Sequence, residues 1–208
     1  MKTISEYKDM ALLSLEGKWG KAAIASLIAF IILELFGSSP SFFMDPIPSM
    51  VLQGVFSLLL LPLAWGHFIF FLRLIRDENL DYGHLFDGFN QYFRIFLAEL
   101  LKGIYILLWA LLLIIPGLIK EYSYAMTEFI LKDNPEMSGE EAICESMRLM
   151  QGHKMQLFLL DLSMIGWLIL SILTLGIGLL FLMPYNYTAH AHFYEDLKAE
   201  QQRLNIKD

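Results

Sequence analysis

Basic residues are scarce in this sequence. Fifteen lysines and arginines stand against 22 acids, for a net charge of −7. No basic patch with interleaved aromatics occurs, which excludes a general nucleic-acid binder. Cysteine is scarcer still: Cys144 is the only one, so neither an internal disulfide nor a thiolate metal cluster can form within the chain. The five histidines fall into no metal-ligand motif. His190 and His192 are two apart, on nearly opposite sides of a helix, and poorly placed to chelate one ion. There is no G-x-S-x-G, no H-E-x-x-H and no glycine-rich phosphate loop. No catalytic, metal or cofactor residue is nominated, and the expectation is a chain that is not an enzyme and carries no cofactor.

Apolar residues make up 56% of the chain. They are gathered in long blocks rather than spread at amphipathic spacing. Residues 155–184, MQLFLLDLSMIGWLILSILTLGIGLLFLMP, contain one charge in thirty. As a single helix this stretch would run about 45 Å, against about 30 Å for a bilayer's hydrocarbon core. Gly176-Ile177-Gly178 lies late in the run, where two glycines let the chain turn sharply. The stretch reads as two membrane helices joined by a tight turn, and the chain as integral to a membrane.

In order along the chain, residues 1–18 read as a short surface helix, with Ile4, Tyr7, Ala11 and Leu15 at helical spacing and Trp19 at the interface. Spans follow at about 20–36 and 50–72, joined by turn chemistry over 37–48, and Pro62 is expected to kink the second. Arg73 to Arg94 is a polar connection whose Phe86, Phe89, Tyr92 and Phe93 suit a short interfacial helix. A third span covers 95–115, broken by Pro116-Gly117, and a fourth, 118–131, reaches only about 21 Å. Ser138-Gly139-Glu140-Glu141 matches a capping box opening an amphipathic helix over 138–150. Spans at 155–175 and 179–195 complete an all-α, polytopic bundle of six crossings, a single domain over residues 1–208.

The basic residues set its orientation, because cytoplasmic loops are enriched in lysine and arginine. Thirteen of the fifteen lie in 1–21, 73–94, 132–154 or the tail. The 37–48 loop, the Pro-Gly break and the Gly-Ile-Gly turn hold none. Six crossings place all thirteen on one side, with both termini in the cytoplasm. Four crossings would expose Lys120, Lys132, Arg148 and Lys154 on the wrong face.

IIPGLIKEYSYAM (114–126), DNPEMSGEEAICESMRLMQGHK (133–154), LTLGIGLLFLMPY (173–185) and HFYEDL (192–197) resemble bacterial integral membrane proteins of the domain of unknown function 975. The resemblance is close over about the last 95 residues and looser at LEGKWGKA (15–22). It implies a multi-pass protein of the bacterial cytoplasmic membrane and brings no catalytic residues.

Two basic residues fall outside the loops. Lys120 lies near the expected outer end, where its side chain can snorkel to the surface. Lys102 lies about seven residues into the third span, and Asp161 lies seven beyond Lys154 in the fifth, so both sit roughly 10 Å below the inner surface. Charges in lipid are costly and usually paired. Lys102 therefore pairs either with Asp161 or, one turn back on its own helix, with Glu99. Two functions remain: a non-catalytic scaffold, accessory or envelope-associated component that binds lipid, a membrane-protein partner or a second copy of itself; or a small-solute transporter, for which a broken helix such as that at Pro116-Gly117 is typical.

Overall fold

The described residues form three antiparallel hairpins, the second and third turned by local features of the sequence. A computed structural model describes residues 1–38 and 45–205, and among these no strand occurs. Helix α1 (Ile4–Leu15) precedes the first hairpin, in which α2 (Trp19–Ser38) is answered by α3 (Pro46–Leu59) and α4 (Leu61–Ile75). Residues 39–44 of the expected 37–48 loop lie outside the described residues. Pro62 opens α4, and α3 and α4 meet at a bend of 44°, as a proline without an N–H requires. A 3₁₀ segment, Tyr82–Gln91, leads to the second hairpin: α5 (Tyr92–Leu112), α6 (Ile114–Tyr124) and α7 (Thr127–Asp133). After α8 (Gly139–Leu149) comes the third, α9 (Lys154–Leu162) and α10 (Ile165–Leu173) against the long α11 (Leu179–Asn205).

The second hairpin turns earlier than its proline suggests. Leu113 is extended, with φ −162° and ψ 143°, while Pro116 sits in the first turn of α6, where a missing N–H costs nothing. The break belongs to Leu113, and Gly117 serves close packing instead. A Cβ there would lie 2.8 Å from that of Ala110. The third hairpin turns at Leu175 and Gly176, both left-handed (φ 55° and 87°).

Among the described residues, three helical stretches are long and apolar enough to cross a membrane: Trp19–Phe36, Tyr82–Leu112 and Lys154–Leu173. The bent pair Pro46–Leu59 and Leu61–Ile75 makes a fourth. The count falls short of six for two reasons. The 118–131 stretch is divided between α6 and α7, and α11 turns polar from Tyr185 onward, through Asn186, His190 and Glu195.

Helix α1 packs on α11 through Tyr7, Ala11 and Leu15, all fully buried, and leaves Leu12 and Leu13 outward. Helix α8 opens with the expected capping box: Glu141 N–H donates to Ser138 Oγ, and Ser138 N–H donates to Glu141 Oε2. Of the connection rings, Phe86 and Phe89 lie outward on the 3₁₀ segment and Phe93 outward on the first turn of α5, while the 3₁₀ backbone lies hard against α4. A Cβ on Gly66 would stand 2.1 Å from the Leu85 carbonyl oxygen. Gly66→Ala is therefore expected to lower stability by about 1–3 kcal/mol, because the obstacle is backbone. Gly103→Ala, with open space around it, should not lower it. Thermal unfolding of both variants in detergent tests this; equal melting temperatures would disprove the close approach.

Candidate functional site

The charged side chains within the helices are gathered by hairpin register. Lys102 on α5 stands one turn from Glu99, and the reversal at Leu113 brings Glu128 of α7 to the same level. Lys102 Nζ lies 2.8 Å from Glu99 Oε2 and donates a hydrogen bond to Glu128 Oε1. The three side chains are 17%, 12% and 14% exposed, so the ammonium is well shielded between two carboxylates. Glu99 Oε1 and Glu128 Oε2 are buried without a partner.

Asp161 belongs to a different cluster. His190 Nε2 lies 2.6 Å from its Oδ1, Asn186 donates to the same oxygen at 3.3 Å, and Tyr122 also bonds it. The structure thus joins Lys102 to Glu99 and not to Asp161. The second and third hairpins fold back on themselves and bring up counter-groups, Glu128 for Lys102 and His190 for Asp161, with Tyr122 of the second hairpin reaching Asp161 from outside its own. The other histidine of the pair points elsewhere: His192 Nε2 lies 2.8 Å from Ser14 Oγ. His67 is buried against Ser26, at 3.0 Å. Among the described residues no group of three His, Cys, Asp or Glu side chains is placed to hold a metal.

A second network ties the chain together at one end. Arg76, after α4, donates twice to Asp133 (2.6 and 2.8 Å) and once to Glu195 (2.7 Å). Asp133 also accepts from Lys198 at 2.5 Å and from the Tyr194 hydroxyl at 3.0 Å. Burial raises the Asp133 carboxyl, but Arg76 and Lys198 outweigh it and hold the group at about 2. Lys2 bonds Asp196 at 3.0 Å, Lys18 bonds Asp77 at 2.5 Å, and Arg94 donates to the carbonyls of Leu131, Asn134 and Met137. Burial likewise raises Asp196, but hydrogen bonds from Tyr7 and Lys2 bring it down to about 2. The N-terminus, both polar connections and the tail therefore meet.

One cavity, of about 420 Å³, is lined chiefly by Leu12, Trp19, Trp167, Leu170, Phe181 and Tyr185. Ser171 and Thr174 also face it, but their hydroxyls donate to the carbonyls of Trp167 and Ser171.

The pattern of a family described as protein of unknown function (DUF975) matches residues 1–120 and 111–201. The chain belongs to this family. No curated protein and no solved structure matches it. In this DUF975 protein, Glu128 and Asp133 are the important side chains that sequence reasoning missed. A signal for Glu128 was present. Folding the chain back at the 113–117 break sets residues equally far from the tip side by side, and Glu128 is the acid nearest the position opposite Lys102. Asp133 gave no such signal, since its partners come from α4 and α11.

Proposed function

We propose that this DUF975 protein is held in the bacterial cytoplasmic membrane by six helical segments in three hairpins, with both termini in the cytoplasm. There it works as a non-catalytic scaffold or accessory component that binds lipid or protein partners. The observation that carries this reading is where the charges go. Arg76, Asp133, Lys198, Lys2 and Asp196 are engaged with one another, holding the connections together. The wall of the 420 Å³ cavity is chiefly apolar and aromatic, its Ser171 and Thr174 hydroxyls being bonded to carbonyls, which suits hydrocarbon rather than a polar solute.

Orientation is tested by the native thiol. Cys144 is exposed on α8 and is expected to resist a membrane-impermeant maleimide in intact cells, then react after permeabilisation. Asp45→Cys in a Cys144→Ser background should behave in the opposite way. Reaction of Cys144 in sealed cells would reverse the assignment.

A transporter or exporter of small solutes is the second reading, favoured by the two unpartnered oxygens of Glu99 and Glu128. Proteoliposomes under a pH gradient separate the two. The scaffold reading expects no protein-dependent flux, whereas a flux lost in Glu128→Gln would establish transport.

A further inference from the structure

The cavity between α1, α2 and the third hairpin is graded in polarity. Toward the hairpin's turn it is lined by Ser171, Thr174 and Gly178, and these have little left to offer a ligand. The Ser171 and Thr174 hydroxyls donate to carbonyls of their own helix. Thr174 Oγ1 also accepts from Gly178 N–H at 3.0 Å, closing the turn. Seven residues back along each arm, from Thr174 to Trp167 and from Gly178 to Tyr185, the cavity has run about 10 Å of helix.

At that end the side chains are not satisfied. Tyr185 is only 7% exposed and lines the cavity, yet among the described residues nothing hydrogen-bonds its hydroxyl. The indole N–H groups of Trp167 and Trp19, in the same wall, are also without an acceptor. Trp65, by contrast, gives its N–H to the Glu128 carbonyl. A tryptophan N–H can only donate, and a buried tyrosine hydroxyl ordinarily finds a partner. The end away from the turn therefore offers donors.

The acceptor that fits them is uncharged. Asp9 stands one turn before Leu12 on the same side of α1, and its charge acts on Tyr185. An acid there disfavours a phosphate or a free carboxylate, and a carbonyl oxygen meets no such opposition. Shape decides what carries the carbonyl. The Trp19 and Phe181 rings are 6.1 Å apart and tilted by 47°, so they make no parallel slot for a flat ring. A chain of methylenes can follow such a wall. The cavity is also open along one side, where Leu12, Trp167, Leu170 and Phe181 are exposed.

Resting on the membrane reading above, we infer that this cavity holds one acyl chain of a bilayer glycerophospholipid. Its ester carbonyl accepts from Tyr185 and Trp167, and its hydrocarbon runs past Trp19 and Phe181 toward the turn. The lipid enters sideways from the leaflet, through the exposed edge.

Photo-crosslinking of the reconstituted full chain tests this. The vesicles are phosphatidylethanolamine and phosphatidylglycerol, with a trace of diester phosphatidylethanolamine carrying a diazirine within one acyl chain. Adducts mapped by mass spectrometry are expected on 170–182 at several times the level on Leu107 and Leu111, which are exposed on α5. Host lipids with dialkyl ether chains lack the carbonyl and compete less well. In such vesicles labelling of 170–182 should rise about fivefold, the worth of one ordinary hydrogen bond, and that of α5 should not change. Tyr185→Phe should shrink the rise; Trp167→Phe, at an exposed ring, serves if the first variant fails to fold. Equal labelling of 170–182 and α5 would mean surrounding lipid only and overturns the proposal. So would equal labelling in the two hosts, a rise unchanged in the phenylalanine variant, or displacement of the probe by a minor amount of fatty acid or long-chain quinone. Failure of the membrane reading itself would show separately, as no labelling of Leu107 and Leu111.

Discussion

Lys102→Met is expected to destabilise the protein by about 3–5 kcal/mol, because it strands two shielded carboxylates that faced one ammonium. The geometry makes the outcome specific. Glu99 and Glu128 already have one unpartnered oxygen each, so nothing nearby replaces the lost donor. Adding Glu99→Gln and Glu128→Gln to Lys102→Met should recover most of the loss, since neutral amides can share hydrogen bonds where carboxylates repel. Adding Asp161→Asn should recover none, because Asp161 answers to His190 and Asn186. Unfolding in mixed detergent micelles reads all three variants against the wild type. Rescue by Asp161→Asn and not by the glutamines would return Lys102 to the pairing the structure denies.

Asp133→Ala should cost about 3 kcal/mol by leaving Arg76 and Lys198 without their shared acceptor. In that variant Arg76 keeps Glu195, at 2.5 Å from its Nη2, so Arg76→Ala should be no milder: it removes its bonds to both acids and uncovers the two of them. The same site sets an acid limit. Its folded carboxyl is held at about 2, below the ordinary 3.8. The stabilisation is therefore complete above about pH 4 and is lost as pH falls through about 2. Its size is about 2 kcal/mol, and Asp196, also held at about 2, adds loss in the same window. A pH series of melting temperatures should be flat from neutrality to about pH 5 for this contribution and drop below 4. In Asp133→Ala the drop should shrink; an unchanged drop would mean that Asp133 does not titrate as described.

What was legible in the sequence was local. Ser138 and Glu141 announced a helix start three residues apart, and they cap it. Pro62 announced a bend, and Gly176 a reversal. The gathering of Lys2, Lys18, Arg76, Arg94 and Lys198 at one end followed from a rule about loops and charge. Pro116 misled because a proline at the start of a helix looks, in sequence, much like one that ends the helix before it. The six crossings rested on counting apolar residues, and a count does not reveal that 118–131 divides at Ala125 or that α11 turns polar halfway. The partners of Lys102 and Asp161 were out of reach for a related reason. Pairing depends on where each hairpin turns, and a displacement of a few residues at the tip moves every opposing pair. Glu99 was found because it lies on the same helix; Asp133 was invisible because three distant segments make its site.

The closeness of the N-terminus to the last turns of α11 has a consequence of another kind. The N-terminal amine lies 3.7 Å from Glu200, and Lys2 bonds Asp196. A short linker could therefore join the tail to Met1 without disturbing any hairpin, and new ends could be opened between Asn134 and Ser138, at the same face. Each hairpin leaves and returns to that face, so each is a separable insertion unit. The order in which a ribosome delivers the three is then a matter of where the gene begins, and a circular permutant starting with α8 and the third hairpin should reach the same bundle.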